Sequence, residues 1–328
     1  MIKNIIKIIF SVGLFSYLVY DGKIDLKILS KVGQNPSIML GTLMLVVIQN
    51  LSNSFRWGLI LSTQTIKKIN YLFLAGVNWI GLFFNTVLPG AVTGDLIKMF
   101  YIKQIDSKIS KTSMVLTVLM DRIYGLIGLI CLMGLISLFR YERLTSISNG
   151  LETIVHFNLL LLFGVIVFFG MMFLPERVQD SFSKMCAKLP LIGKKTIHLN
   201  ECFWMMAKRK KTMFSCIGIS LLSHNLGIMA FYYITSPFFS KEVAFFDIYS
   251  VIPVGMIITA IPISPGGMGV GHAAFEKLLG YFQLTGGANL FNTFWIIILI
   301  NNLMGLIPYL LLSKKKEKLM KATTVETN

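Results

Sequence analysis

The sequence predicts an all-α polytopic membrane protein with about six full transmembrane helices and two opposed re-entrant hairpins. Of its 328 residues, 55% are hydrophobic and only 14% are charged. Several apolar runs are long enough to span a bilayer, and the basic residues lie mainly between them. A surface facing only water needs more charge than this chain carries, so lipid must be much of its solvent. The chain, residues 1–328, is therefore interpreted as one transmembrane domain.

Six stretches of about 18 or more residues contain almost no charge, which is the length that crosses a hydrocarbon layer about 30 Å thick. No small-residue cleavage site follows the first stretch, so we interpret it as a membrane anchor and not as a signal peptide. The six stretches are Ile2–Tyr20, Ile38–Ser62, Thr112–Phe139, Phe157–Leu174, Thr212–Ser236 and Ala288–Leu312.

Two further apolar segments, 72–94 and 248–282, are each expected to enter and leave the membrane on one side. With this topology, 22 of the 31 Lys and Arg residues lie on the side of the N-terminus and seven on the other. The positive-inside rule then predicts a multi-pass protein of the cell membrane with both termini in the cytoplasm. A full crossing by either segment would leave a basic cluster such as Lys208–Lys211 outside. Nucleic acid is not an expected partner, because the chain has no basic patch with interleaved aromatic residues.

The two halves of the chain, 38–139 and 212–312, contain the same features in opposite orientation: a span, a Pro-Gly break and a second span. This order is typical of an inverted repeat, in which the two breaks converge near the middle of the membrane. Non-helical backbone at that depth is tolerated only where protein or a water-filled cavity surrounds it. The breaks contain Pro89, Gly90 and Gly94 in the first half, and Ser264, Pro265, Gly266, Gly267 and Gly269 in the second.

The two halves are joined by a polar connector, 175–211, and the chain ends in a basic tail, 313–328. The connector pattern predicts either an amphipathic helix on the anionic lipids of the inner leaflet or an ordinary solvated loop. Its apolar residues Phe182, Met185 and Leu189 recur at helical spacing opposite Lys184 and Lys188.

Charged residues inside apolar spans are costly, so they are candidate functional residues. Arg56 lies beside Trp57 near the cytoplasmic end of its span, where it either contributes to a site or snorkels to the headgroups next to an interfacial tryptophan. Asp121 and Arg122 lie about ten residues deep, and neighbouring helix positions point about 100° apart, so each needs a partner on another segment.

The sequence offers two partners for each residue of the Asp121-Arg122 pair. A buried ion network without any ligand is the alternative to a binding site here. The partners are Arg56 or Lys98 for Asp121, and Asp95 or Glu276 for Arg122.

The first break precedes a predicted helix at 96–102. A helix that begins there would direct unpaired backbone N–H groups toward a phosphate, with Asn85, Gly94 and Asp95 close by. Thr93 or Asp95 is equally suited to be a simple N-cap.

His272 and Glu276 are four residues apart on one helix face, which is the spacing of a metal-binding pair or of a hydrogen bond. No third ligand and no HExxH motif lie nearby, so we expect no metal. The sequence also contains no Walker A motif, GxSxG motif or Rossmann fingerprint, so we expect no cofactor and find no support for a pump driven by ATP or for a hydrolase.

Taken together, these motifs resemble the lysylphosphatidylglycerol synthase transmembrane-region family, the flippase-like membrane proteins, over about residues 5–312. Family members often have Glu where His272 stands and Arg where Lys98 stands. The resemblance implies a lipid-translocating region without the soluble aminoacyl-transferase domain. It rests on Arg56-Trp57, on Asn85 with Pro89-Gly90 and Gly94-Asp95, on Asp121-Arg122, and on Ser264-Pro265-Gly266-Gly267-Met268-Gly269.

From these residues and this resemblance we expect a flippase and not an enzyme: a transporter that moves an anionic phospholipid or polyprenyl-linked lipid between leaflets. Arg56 and Arg122 would hold the headgroup between the breaks, and Asp121 and Glu276 are candidates for coupling to protons. One alternative is a secondary transporter of a small soluble anion, which would need a closed polar cavity. Another is an intramembrane lipid-modifying enzyme or an accessory subunit of a glycosyltransferase.

Overall fold

A computed structural model describes residues 34–65, 67–87, 93–187, 204–260 and 269–312. All regular secondary structure in these residues is helical, which confirms the predicted all-α membrane class. Short helical segments at 204–208 and 306–312 accompany the main elements. The main elements are α1 (Pro36–Leu61), α2 (Tyr71–Val87), α3 (Thr93–Ile105), α4 (Lys111–Phe139), α5 (Tyr141–Thr145), α6 (Asn149–Met172), α7 (Glu176–Ala187), α8 (Lys210–Thr235), a 3₁₀ turn (Ser236–Phe238), α9 (Phe245–Ala260), α10 (Val270–Gly280) and α11 (Gly287–Leu303).

Five helices of the described residues are long and apolar enough to cross a membrane: α1, α4, α6, α8 with its 3₁₀ turn, and α11 continued to Leu312. They coincide with five of the six predicted spans; the sixth, Ile2–Tyr20, lies outside the described residues. Large apolar side chains such as Leu40, Phe163 and Ile307 are exposed on their outer faces. Such faces are expected where the helices contact lipid and not water.

The segments predicted to re-enter belong to two helical hairpins, α2 with α3 and α9 with α10. The first hairpin is longer than the predicted range 72–94, because its returning helix ends only at Ile105. At the first hairpin, Thr65 donates a hydrogen bond of 2.7 Å to Asp106, so the two ends of the hairpin lie together. At the second, Lys241 donates a hydrogen bond of 2.8 Å to Gln283, which joins its two ends likewise. Each hairpin therefore returns to the end of the bundle from which it starts. The breaks at 88–92 and 261–268 lie outside the described residues.

The hairpins start from opposite ends of the bundle. The first starts at what we call the basic end, where Gln64 contacts Met205 and Lys208 forms an ion pair of 2.8 Å with Glu176. The second starts at the opposite end, where Arg140 at the end of α4 donates a hydrogen bond of 2.7 Å to Asp247 in α9. The described residues of the loops that were predicted to share the cytoplasmic side thus lie at one end of the bundle, and the two chain termini lie outside the described residues. The assignment of that end to the cytoplasm remains a prediction from the charge distribution.

Helices α1 and α8, the first long helices of the two predicted halves, pack together at the centre of the bundle. Gly227 of α8 faces α1 at this contact, and a Cβ there would lie 2.6 Å from the side-chain amide nitrogen of Gln49. Each hairpin packs on the last long helix of the other half, α2 on α11 and α9 on α4. An inverted repeat would produce this exchange of partners, and the repeat itself remains a prediction.

The first part of the polar connector is helical, as one of the two interpretations of the sequence predicted. Helix α7 ends at Ala187, and Lys184 and Met185 are both exposed on it. Leu189 and Lys188 lie outside the described residues, as does the tail at 313–328. Contact of this helix with an anionic leaflet remains a prediction.

We predict that single cysteines placed at Lys67 and Lys108 are labelled from one side of the membrane, and cysteines at Lys241 and Gln283 from the other. The reason is that each pair flanks one hairpin whose two ends are joined by hydrogen bonds. The measurement is labelling by a membrane-impermeant maleimide, before and after permeabilisation, in a background without the four native cysteines. Labelling of Lys67 and Lys108 replacements from different sides would contradict the hairpin topology.

Candidate functional site

Five charged side chains from three helices meet inside the bundle, and we call them the ion cluster. Arg122 lies eleven residues from the start of α4, which corresponds to about 16 Å along the helix axis. This is about half the thickness of a hydrocarbon layer of about 30 Å. The ion cluster consists of Arg56 on α1, Asp95 and Lys98 on α3, and Asp121 and Arg122 on α4.

Arg56 points into the bundle and is held by two other helices. Its Nε donates a hydrogen bond of 2.8 Å to Asp121 of α4, and its Nη1 donates one of 2.9 Å to the Ser220 hydroxyl of α8. Only 6% of its side chain is exposed, so the interpretation that it snorkels to the headgroups is wrong. Trp57 is also buried and lies 5.4 Å from the Lys98 ammonium, so it is not an interfacial tryptophan.

Asp95 joins the two remaining cations of the cluster. Arg122 donates to its Oδ2 from both Nε, at 2.9 Å, and Nη2. The Lys98 ammonium lies 3.8 Å from its other oxygen. Asp121 and Arg122 thus face different helices, as their 100° separation requires. Of the two partners that the sequence offered for each residue, Asp121 binds Arg56 and Arg122 binds Asp95.

The first hairpin positions Asp95 in the first turn of α3. The backbone N–H of Gly94 donates a hydrogen bond of 2.7 Å to the side-chain oxygen of Asn85, at the end of α2. A side chain at Gly94 would overlap the carbonyl of Gly81, so the hairpin can close this tightly only with glycine there. A backbone N–H in the first turn of α3 is thus paired with Asn85 of α2. The carboxylate of Asp95 is bound by Arg122 and Lys98 instead.

The ion cluster carries three cations and two carboxylates, so its formal charge is one positive. Lys98 interacts electrostatically with each of the other four members. Its side chain passes over Gly81, where even a methyl group would lie 2.6 Å from the Lys98 Cε atom. An uncompensated charge at membrane depth is costly. An anion bound here would balance the cluster.

Arg122 is the most accessible member of the ion cluster, with 51% of its side chain exposed. Val115 and Leu126, which lie on the same face of α4 at helical spacing, are exposed as well. On the neighbouring helix α3, Leu96 and Phe100 are also exposed. Among the described residues, this guanidinium half-way across the bundle therefore borders an exposed apolar surface of α3 and α4.

The described residues at and after the second break, Gly269, His272 and Glu276, form hydrogen bonds at the starts of helices. Gly269 has φ of 79°, which favours glycine, and its N–H donates a hydrogen bond of 3.1 Å to the ring of His272. Glu276 accepts a hydrogen bond of 2.8 Å from the N–H of Ala288 at the start of α11. Glu276 is thus not the partner of Arg122. In the part of the chain that the structure describes, no group of three potential metal ligands is present.

Several predicted site residues lie outside the described residues: Pro89, Gly90, Ser264, Pro265, Gly266 and Gly267. Sequence reasoning also missed residues that the structure brings into contact with charges. Ser220 binds Arg56, and Asp247 binds Arg140 and Arg143. An acidic residue in the first turn of the apolar helix α9 was a signal for Asp247, whereas an ordinary serine in α8 carried none.

Comparison with known proteins identifies a family and a relative. Residues 4–308 match the model of the family described as the lysylphosphatidylglycerol synthase TM region. A UPF0104 membrane protein of Pyrococcus horikoshii is 25% identical over 283 residues, which cover 82% of this chain and 84% of that protein. The range that the family model matches, 4–308, contains all five members of the ion cluster.

We predict that Arg56→Ala destabilises the protein by about 3–5 kcal/mol, because it leaves the largely buried Asp121 without its partner. The apolar double replacement Arg56→Leu with Asp121→Leu should recover much of that loss, because neither member of the pair is then left buried without its partner. Thermal unfolding in detergent measures both effects, with Lys111→Ala on the exposed start of α4 as the control. An Arg56→Ala variant as stable as Lys111→Ala would show that the ion pair does not stabilise the bundle.

Proposed function

The chain belongs to the lysylphosphatidylglycerol synthase transmembrane-region family, and from this membership and the ion cluster we propose that it is a lipid flippase. It moves an amphipathic lipid with an anionic headgroup, a phospholipid or a polyprenyl-linked lipid, between the leaflets of the cell membrane. The headgroup binds at the ion cluster while the acyl or prenyl tails stay in the surrounding lipid. No covalent chemistry is required of the protein.

The observation that carries this proposal is the half-exposed Arg122 on the apolar outer face of α4. A guanidinium that is half exposed at membrane depth can exchange Asp95 for the phosphate of a lipid, which reaches it sideways from the bilayer. A transporter of a small soluble anion would instead need an enclosed polar cavity. The lateral accessibility of Arg122 therefore favours a lipid over a soluble anion.

The charge balance of the ion cluster supports an anionic headgroup. Arg122 is a guanidinium, which binds phosphate through two parallel hydrogen bonds. Its present partner, Asp95, also lies 3.8 Å from Lys98. When a phosphate takes over Arg122, Lys98 can still neutralise Asp95. The bound cluster then contains three cations and at least three negative charges.

The buried half of the cluster has a supporting role in this mechanism. Arg56 is engaged by Asp121 and Ser220 from two helices, so it keeps α1, α4 and α8 together around the site. Asn85 and Gly94 hold the two helices of the first hairpin together, and Asp95 joins that hairpin to α4 through Arg122. The residue that binds the headgroup is then Arg122, while Lys98 neutralises Asp95.

The orientation in the membrane follows from the basic end. We place it at the cytoplasmic leaflet, where Lys67, Lys108, Lys208 and the neighbouring basic residues face anionic lipids. Both chain termini are then cytoplasmic. Helix α7 lies at this end through the ion pair of Glu176 with Lys208, which suits contact with the same leaflet.

We predict that Arg122→Ala lowers lipid translocation at least about tenfold while the protein stays folded, since a charge-assisted hydrogen bond contributes about 1.5–3 kcal/mol. Arg122→Lys should translocate lipid little better than Arg122→Ala, because an ammonium cannot form the two parallel hydrogen bonds of a guanidinium to phosphate. The measurement is the flipping of fluorescent phosphatidylglycerol in proteoliposomes, followed by dithionite quenching, with fluorescent phosphatidylcholine as the neutral probe.

Lys111→Ala, which removes a basic residue from the exposed start of the same helix, is the matched control and should translocate lipid like the unmodified protein. Full activity of Arg122→Ala would contradict the assignment of the headgroup to Arg122. Uptake of glycerol 3-phosphate into the vesicles with no lipid movement would contradict the flippase function in favour of a soluble anion.

A further inference from the structure

A second group of charges lies at the opposite end of the bundle, where α4 and α5 meet α9. Asp247, in the first turn of α9, accepts hydrogen bonds on Oδ1 from Arg140 Nη2 at 2.7 Å and on Oδ2 from Arg143 Nη2 at 2.9 Å. Arg143 Nε donates a longer one, of 3.5 Å, to Oδ1. Only 4% of the Asp247 side chain is exposed. Two arginines thus converge on one buried carboxylate.

This group resembles the ion cluster in charge and in accessibility. It has two cations and one carboxylate, so its formal charge is one positive. The side chain of Arg143 is 59% exposed, and the buried Nε of Arg140 has no hydrogen-bond partner among the described residues. The neighbouring Glu142 is exposed, and in the described part of the chain it forms no ion pair with either arginine. Donor capacity therefore remains for an anion.

The surface around these arginines is apolar and faces outward. Leu138 and Phe139 at the end of α4 are exposed, and so is Phe246 of α9. Exposed aromatic residues next to arginines are typical of the interface between hydrocarbon and headgroups. If the basic end lies at one leaflet, this site lies at the headgroup level of the other.

Polar groups of α8 lead from the ion cluster toward the second site. Ser220 binds Arg56, and the His224 ring lies 2.8 Å from the backbone oxygen of Gly125 in α4. One residue further along α8, Asn225 accepts a hydrogen bond from Tyr249, two residues after Asp247. Polar side chains in the middle of a span are costly and mark pathways more often than lipid-facing surfaces.

We infer that Arg140 and Arg143 form a second binding site for the phosphate of an anionic lipid, at the leaflet opposite the basic end. The inference rests on the proposed function for the identity of the cargo. The ion cluster and the second site then bind the same headgroup at two depths, and α8 provides the polar groups between them. The phosphate displaces Arg143 from Asp247, while Arg140 continues to neutralise that carboxylate.

Native mass spectrometry of the full chain in detergent, titrated with dioleoylphosphatidylglycerol, tests this site by counting bound lipids. The unmodified protein should bind two lipids at the concentration that saturates its binding. At that same concentration, Arg143→Gln and Arg122→Gln should each bind only one, with affinity at the lost site reduced about 10- to 100-fold, and the double variant should bind none. Lys277→Gln, which removes an exposed lysine of α10 at the same end, is the control and should bind two.

An Arg143→Gln variant that still binds two lipids would overturn the second site. If Arg122→Gln has lost a lipid in the same experiment, the proposed function stands and only this inference fails. If neither variant loses a lipid, both fail. Glycerol 3-phosphate that displaces the lipid from the second site at equal concentration would overturn the lipid as its ligand.

The same arginines also join α4 to α9, so a structural role alone must be separated from binding. Thermal unfolding of each variant measures the structural contribution. We expect Arg143→Gln to fold, because Asp247 keeps its bond to Arg140. If that variant does not fold, Arg143→Lys decides, because it keeps the positive charge. Weaker binding of the second lipid by a folded Arg143→Lys supports the site, and binding like that of the unmodified protein overturns it.

Discussion

The ion pair between Arg56 and Asp121 is the interaction on which the rest of the site depends. Through Ser220 it joins α1, α4 and α8, which form the centre of the bundle. A buried charge without a partner costs several kcal/mol, so neither residue tolerates a change in the position of the other. Because Asp121 is held toward α1, Arg122 must point about 100° away, toward α3 and the outer surface. The outward direction of Arg122 is thus a consequence of the ion pair that holds Asp121 toward the buried Arg56.

Close backbone contacts between glycines and their neighbours make this geometry possible. The contact of Gly94 with Gly81 closes the first hairpin and places Asp95 within reach of Arg122. Between the long helices, Gly128 of α4 packs directly on Ser220 of α8, the residue that also binds Arg56. Small residues allow such approach in a bilayer, where association of helices depends on packing and hydrogen bonds and not on exclusion of water. The charges are therefore positioned by the packing around them.

The ion cluster and the second site share one design. In each, a well-buried carboxylate is bound by two cations, one of which is about half exposed on an apolar surface. The buried carboxylate holds the cations in place, and each group carries one surplus positive charge that an anion would balance. The proposed transport needs sites of moderate strength, because a headgroup that binds too tightly at either depth does not leave it. In the proposed mechanism, competition between carboxylate and phosphate for the same guanidinium provides that moderation.

The sequence by itself determined the membrane class, five spans that the structure describes, and the grouping of loops at two ends of the bundle. It also identified the charged residues of the ion cluster, because hydropathy and helical periodicity reveal the depth of a residue and the direction of its side chain. It did not decide which partner each charge takes. Arg122 binds Asp95 and not Glu276, Arg56 points inward and does not snorkel, and Asn85 holds the start of α3.

The partners of Asp247 were likewise decided only by the tertiary structure. Arg140 and Arg143 precede it by about a hundred residues, and in the sequence they looked like ordinary basic residues of a connector. Hydropathy is a property of one segment at a time and describes position along the membrane normal. Which helices lie side by side in the plane of the membrane depends on the packing of small residues between them, and that arrangement selects the partner of every buried charge.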